Sequence, residues 1–341
     1  MLLEKFEFIA PENNSGFIPK EGSVKVIKNN QYSYINLGSI IGDAPKCMVA
    51  LYDYEREGNI RKANPRTWRK YIAKSASKWY PNESITEHLL NELGRSLGLN
   101  MANSCIRRVN KQIWFLSEYF IKEEEQLVHG ADFFALYLNG DIDFVEAIQD
   151  NKKIDDQHFF NIQLVKEIFI KYFPFDYSNL FESFIKMLIF DGIVGNNDRH
   201  AYNWGVIKSV KVNEPMRFAP VYDTARGLYW NISENNVLKV LASVDKNGYN
   251  RNIENYILSS RPKIGWDGEG SLNHFELLKR IYSSEMGITK QNFVNLVSEN
   301  NLEKCLSVVN NDFKELFSEN RRELITKCIK LRFEKINEFI E

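Results

Sequence analysis

The chain reads as an α+β molecule of two lobes, a strand-rich N-lobe over residues 1–121 and a mostly helical C-lobe over 122–341. Three observations lead there. Between residues 20 and 121, short runs of apolar, β-branched and aromatic residues alternate with turn residues, with one helical stretch at 84–97. Further on, Phe181, Phe184, Ile185, Leu188 and Ile189 recur at helical spacing and run straight into Gly195-Asn196-Asn197-Asp198-Arg199-His200-Ala201-Tyr202-Asn203. From Asn273 onward the pattern is helical throughout: Phe275, Leu278 and Ile281, then Phe293 and Leu296, then Leu324, Cys328, Leu331 and Ile336.

Composition sets bounds. With 341 residues, 44% of them hydrophobic and 13% aromatic, the chain buries a sizeable core. A formal net charge of −1 supplies no global field toward nucleic acid or membranes, so no direct nucleic-acid binding and no membrane association are expected. The acids of Met1-Leu2-Leu3-Glu4-Lys5-Phe6-Glu7 do not suit a secretory signal, and stretches such as 187–190 are too short to cross a bilayer. Cys47, Cys105, Cys305 and Cys328 show no C-x-x-C spacing, which points to a reducing compartment, the cytoplasm, and away from structural zinc. There is no internal repeat and no low-complexity linker.

Taken in order, the first feature is the loop Leu37-Gly38-Ser39-Ile40-Ile41-Gly42-Asp43-Ala44-Pro45-Lys46. An insertion at 54–69 follows, in which Arg56, Arg61, Lys62, Arg66 and Arg69 face only Glu55 and Glu57. It is expected to be a protruding hairpin, a solvated tip more readily than a docking site. Tyr71-Ile72-Ala73-Lys74 is a strand ending in lysine. The next helix admits two readings of Glu87, as the partner of Lys74 or as the return arm of a capping box in Ser84-Ile85-Thr86-Glu87. An apolar strand from Ile113 ends in Glu118-Tyr119-Phe120, and residues 122–156 form a joint and a first helical pair.

The chemistry concentrates after the apolar helix. Asp198 is followed five positions on by Asn203, and Ala219-Pro220-Val221-Tyr222-Asp223 supplies a second acid. Asn-Asn-Asp alone is common turn chemistry. Its placement between an apolar helix and the short strands at Trp204, Val206 and Val221 is what gives it weight. A transferring phosphoryl group carries spread negative charge, so its catalysis needs positioning and Mg²⁺. Magnesium takes a few hard oxygen ligands, which an Asp and an Asn provide, while a separate carboxylate handles the hydroxyl nucleophile. His200 is read as an orienting or packing residue and not as a ligand. Thr224 and Ser233 are candidate phosphosites after the second acid, and Arg261-Pro262-Lys263-Ile264-Gly265-Trp266 is a turn wrapping the C-lobe.

These words in this order resemble the HipA-like bacterial serine/threonine kinases, in a short form that reaches the phosphate loop within its first forty residues, over about residues 36–265. The resemblance implies a two-lobed protein-kinase-like fold that uses ATP and Mg²⁺. It implies that Asp198 is the catalytic base, Asn203 and Asp223 hold the metal, and Lys74 meets the ATP phosphates with Glu87 as its partner. It places Ser39, Ile40, Ile41 and Gly42 at the nucleotide phosphates, Ser39 as an autophosphorylation site, and Glu118, Tyr119 and Phe120 at the adenine. It further implies a protein substrate, a toxin or effector role, and a separate antitoxin protein as a candidate partner. A lipid kinase and a non-catalytic kinase-shaped binding module are the alternatives.

Overall fold

The computed structural model describes residues 12–35, 46–53, 60–76, 78–138, 142–143, 145, 156–211, 214–284, 286 and 290–340. Its N-terminal lobe is a five-stranded antiparallel sheet in the order β1-β2-β3-β5-β4. The strands are β1 Tyr32–Ile35, β2 Lys46–Leu51, β3 Arg69–Ser75, β4 Ser104–Val109 and β5 Gln112–Glu118. Alternation assigns the two faces. Cys47, Val49 and Leu51 of β2 pack with Tyr71, Ala73, Trp114 and Leu116 in a small outer core. On the inner face Ile106 and Ile113 join Ile85, Leu89 and Leu93 of helix α1, Asn82–Ser96. The free edge of β4 is covered by an extended segment, where the Ile27 amide donates to the Arg108 carbonyl at 2.9 Å and the Arg108 amide to that of Lys25 at 2.9 Å.

The β2–β3 connection is a hairpin, as expected, although residues 54–59, with Arg56, lie outside the described residues. Its described half is packed as well as solvated: the buried Trp68 donates from Nε1 to the Arg61 carbonyl at 2.9 Å. Arg69 is drawn into the sheet by Glu118, 2.8 Å away.

A second sheet, β6-β7-β8, opens the C-terminal lobe, with β6 Glu125–His129, β7 Gly205–Ser209 and β8 Arg217–Phe218. Here the sequence reading needs correction: the stretch 122–156 contributes β6 before the helix α2, Gly130–Tyr137, because Leu127 and Val128 pair with Ile207 and Val206. Next come α3 Ile162–Tyr172 and α4 Tyr177–Val194. The second half of α4, from Met187 to Val194, is buried at every position, so it is a central helix rather than an amphipathic one. Around it lie α5 Glu234–Ala242, α6 Arg251–Ser259, α7 His274–Ser283, α8 Lys290–Leu296, α9 Glu299–Ser307 and α10 Glu319–Asn337. A single π turn, Val308–Asp312, follows α9 directly.

Two of the contacts between the lobes are made by α1 and by the segment that follows it. Met101 bridges Val221 in parallel, with the Ala102 amide donating to the Val221 carbonyl at 2.9 Å and the Val221 amide to that of Asn100 at 2.7 Å. Meanwhile α1 packs against the π turn, His88 against the Phe313 ring with centroids 5.4 Å apart.

Candidate active site

Helix α4 ends because Gly195 takes a left-handed conformation, φ 67° and ψ 41°, and throws the chain into the loop 196–204. A side chain is also excluded by space, since a Cβ there would lie 2.3 Å from Nη2 of the buried Arg332. Arg332 donates to the Gly192 carbonyl at 2.9 Å, placing a cation at the negative end of α4.

The loop is then pinned residue by residue. Asn196 donates from Nδ2 to Asp191 at 2.9 Å, and its Oδ1 accepts from the Asp198 amide at 3.3 Å. Asn197 donates its amide to the Arg226 carbonyl at 3.1 Å and accepts through Oδ1 from the Ser260 hydroxyl at 2.7 Å and the Arg261 amide at 3.1 Å. Asn203 donates from Nδ2 to the Asp198 carbonyl at 2.7 Å, which fixes its amide and leaves Oδ1 as its acceptor.

Arg199 organises the whole. Fully buried, it donates from Nε and Nη2 to the two oxygens of Asp191 at 2.9 and 3.0 Å, from Nη1 to the carbonyls of Asn203 and Tyr222 at 2.7 Å each, and from Nη2 to the Thr224 hydroxyl at 3.1 Å. One guanidinium thus holds the backbone at Asn203 and beside Asp223. Asp223 itself sits at φ 53°, a left-handed conformation uncommon for a residue other than glycine. Sequence reasoning missed this role. Thr224, buried and bonded to Arg199, is not presented for modification, and Ser233 caps α5 by accepting from the Asn236 amide; neither supports the phosphosite reading.

From above, Lys74 reaches down from β3. Its Nζ lies 2.7 Å from Glu87 of α1 and 2.6 Å from Asp223. The capping-box reading of Glu87 therefore fails: α1 starts two residues earlier than expected, at Asn82, so Ser84 stands inside the helix and accepts from the Ala76 amide at 3.3 Å. Burial works against the Lys74 charge, but Asp223 and Glu87 outweigh it and push its pKa up. Burial likewise opposes ionisation of Asp223, yet Lys74 and then Lys46 hold its carboxyl far below the ordinary range. For Glu87 burial wins and pushes the pKa up to about 6. At neutral pH the trio is a lysinium between two carboxylates.

Asp198 lies 3.2 Å from Arg226 Nη1. Below it, the Tyr222 hydroxyl donates to the Tyr202 carbonyl at 3.0 Å and lies 2.9 Å from His129 Nδ1, so Nδ1 carries the ring proton. Burial lowers the pKa of both His129 and His200. His200 accepts from the Tyr202 amide at 3.3 Å, in keeping with an orienting role. The stretch Glu118-Tyr119-Phe120 closes the far side. The Glu118 and Tyr119 amides are spent on the carbonyls of Asn103 and Lys70 at 2.7 and 2.8 Å, and the Phe120 ring stands 5.7 Å from that of Tyr222. Among the described residues the Phe120 amide has no partner, which leaves it as the donor of the three for a ligand edge. Ser39, Ile40, Ile41 and Gly42 lie outside the described residues.

The donor set suits magnesium: an amide oxygen on Asn203 and a carboxylate on Asp223 are hard ligands, few in number, held by one buried guanidinium through their backbones. Lysine on the third strand, a glutamate on the following helix, an acid and an asparagine five apart after a buried helix, and a second acid beyond the next strands define a class. The HipA-like C-terminal domain model matches residues 38–299, and the chain belongs to that family.

Among characterised relatives, the serine/threonine-protein kinase CtkA of Helicobacter pylori strain J99 is 25% identical over 205 residues, which cover 58% of this chain and 55% of that protein. The match thus spans about half of the relative's length. A crystal structure of the H. pylori proinflammatory kinase CtkA superposes with a TM-score of 0.68 at 16% identity, covering 93% of this chain and 96% of that one. The Shewanella oneidensis MR-1 toxin–antitoxin complex of HipA, HipB and operator DNA gives a TM-score of 0.51 at 14% identity, covering 90% of this chain and 66% of that one. At such identities the structural likenesses establish the fold, a two-lobed kinase-like α+β architecture. No described helix is long and apolar enough to cross a membrane.

Proposed function

We propose that the chain is an ATP- and Mg²⁺-dependent serine/threonine protein kinase of HipA-like type. The observation that carries this is Lys74 held between Glu87 and Asp223 while Arg199 ties Asp223's neighbour to Asn203. That is the constellation phosphoryl transfer requires, a phosphate-binding lysine, two hard metal ligands and a separate carboxylate. When bound, Mg²⁺ neutralises charge on the phosphates. Asn203 and Asp223 hold it, Lys74 orients the phosphates, and the Phe120 amide with the end of β5 receives the adenine. Asp198 accepts the proton of the attacking hydroxyl as that oxygen bonds to phosphorus and ADP departs with the electron pair of the broken bond.

The N-lobe over 1–121 and the C-lobe over 122–341 enclose this cleft in the proposal, and Ser39 is the self-modification site. A toxin or effector role, with a separate antitoxin protein as counterpart, is supported by the relatives: a proinflammatory kinase, and a HipA in a toxin–antitoxin complex with HipB. The four cysteines are free and buried, which suits action in the cytoplasm.

The test is incubation of the purified chain with γ-labelled ATP and Mg²⁺ beside Asp198→Asn, read by gel and phosphopeptide mapping. Label on protein from the parent alone, with Ser39 among the sites, is the expected outcome. Label on lipid headgroup in place of protein would replace this reading with a lipid kinase. Failure of a folded parent to bind ATP would reduce it to a binding module.

A further inference from the structure

The transferring phosphoryl group carries negative charge that faces the acceptor as well as the metal, and a positive group on that side is worth a great deal to the rate. The catalytic loop offers none of its own. Arg199, next to Asp198, is sealed inside with its donors spent on Asp191, Asn203, Tyr222 and Thr224. His200 is committed to the loop through the Tyr202 amide at 3.3 Å. Lys74 is engaged on the nucleotide side by Glu87 and Asp223.

The cation in front of Asp198 comes instead from the segment after the metal acid. Arg226 Nη1 lies 3.2 Å from Asp198 Oδ1, and the two side chains are 38% and 19% exposed, so the pair opens onto solvent where the acceptor must arrive. The backbone beneath it is fixed. The Arg226 carbonyl accepts from the Asn197 amide at 3.1 Å, and the next residue, Gly227, runs so close that a Cβ would fall 2.5 Å from the Val194 carbonyl oxygen. The guanidinium lies 5.9 Å over the Trp230 ring, which supports it. Against that backbone the side chain is what can turn, and a partly exposed ion pair is held weakly enough to exchange partners.

We propose that Arg226 is a catalytic residue: paired with Asp198 at rest, it turns to the transferring phosphoryl oxygens when Asp198 engages the acceptor hydroxyl. The inference rests on the kinase reading above. In the step itself the acceptor oxygen bonds to phosphorus, the bond from phosphorus to the bridging oxygen breaks, ADP takes that electron pair, and the hydroxyl proton passes to Asp198. Arg226 gives up no proton and serves by charge alone. This differs from an anchoring role, in which Arg226 would only hold the loop and its loss would loosen everything the loop binds.

The two roles separate on a transition-state analogue. The full chain, Arg226→Gln and Arg226→Lys are titrated with MgADP in the presence and absence of aluminium fluoride, and melted alongside. For the parent, fluoride tightens MgADP by at least about tenfold. For Arg226→Gln we expect MgADP affinity and melting temperature unchanged, the tightening lost, and phosphoryl transfer down by about a hundred- to a thousandfold, with Arg226→Lys recovering part of both. Full tightening in Arg226→Gln overturns the proposal. So does a parallel loss of MgADP affinity and melting temperature, which is the signature of an anchor. A parent that binds MgADP but neither tightens with fluoride nor transfers phosphate removes the kinase reading, and this proposal with it.

Discussion

Two of the fully buried arginines meet the end of α4, Arg199 from the loop 196–204 and Arg332 from α10, and they are housed in opposite ways. In front, Arg199 spends its guanidinium on both oxygens of Asp191, two carbonyls and a hydroxyl. Behind, Arg332 has no described carboxylate partner. Its Nη1 donates to the Gly192 carbonyl, it bonds the Cys328 side chain, its Nε and Nη2 have no partner among the described residues, and it lies 6.0 and 5.7 Å from the ring centroids of Tyr256 and Phe275. The front is a saturated polar network whose geometry is dictated bond by bond. The rear is packing around a charge held by a helix end and two aromatic faces. A saturated network fails when one member is removed, whereas a packed charge tolerates an apolar replacement of similar volume.

The sharpest way to break the contrast is Asp191→Ala. It strands the Arg199 charge in the interior, and we expect a loss of about 3–5 kcal/mol in urea unfolding. A loss under about 1 kcal/mol would mean that the front is no more demanding than the rear.

Gly195→Ala comes next. Its Cβ must share space with Arg332 Nη2 at 2.3 Å in a left-handed conformation, and we expect a cost of about 2–3 kcal/mol, partly relieved when Arg332→Met is also present. Strict additivity in that double-mutant cycle would show that the clash is with the backbone alone.

Acid sharpens the comparison from another direction. Burial depresses the pKa of His88 to about 3, and that of His274, which faces Arg332, well below its ordinary value. Both are neutral when folded and take up protons on unfolding. Stability is therefore complete above about pH 6.5 and is lost as the pH falls, each histidine contributing about 1.4 kcal/mol per pH unit at most. Glu87 runs the other way, gaining its proton in the folded state as the pH falls through about 6. Glu92, also raised by burial, adds to the side of Glu87, while His129 and His200, also lowered by burial, add to that of His88 and His274, and His88→Gln should make the loss of stability on acidification shallower. An unchanged slope would remove His88 from the account.

The smallest effect is expected from Arg332→Met alone, a change within about 1 kcal/mol of either sign by thermal or urea unfolding, because little polar bonding is forfeited. A loss of several kcal/mol would make the rear a polar anchor in its own right.

How far the sequence shows this depends on the kind of interaction. Asp198, Asn203 and Asp223 are legible because their spacing carries chemistry that turns alone do not require, and Lys74 because it ends an apolar strand. The partner of Lys74 is undecidable from local pattern, since Ser84 and Glu87 satisfy a capping box on paper. What decides it is a helix starting at Asn82 and a lysine arriving from another strand. Arg199 sits inside the recognised motif, yet its partners come from α4 and from residues 222 and 224, far apart in sequence.

Arg332 left a signal that hydrophobic periodicity passes over. It stands four residues after Cys328 and four before Ile336 in the buried series of α10, while the apolar Leu331 is only partly covered. A charge at a core position is the mark to look for. The strand β6 was missed because Glu125–His129 has polar residues at both ends and none of its five residues is buried, so alternation is faint.

The short parallel bridge between Met101 and Val221 ties Asp223 to both lobes at once. Through Ala102 and Val221, Asp223 travels with the upper sheet and with Lys74, while through Tyr222 and Arg199 it is tied to the lower helices and Asn203. Any separation of the two lobes would have to tear one seam or the other. How often the lobes part is therefore set by the lifetime of the two hydrogen bonds donated by the Ala102 and Val221 amides, and their exchange with deuterium is a clock for it.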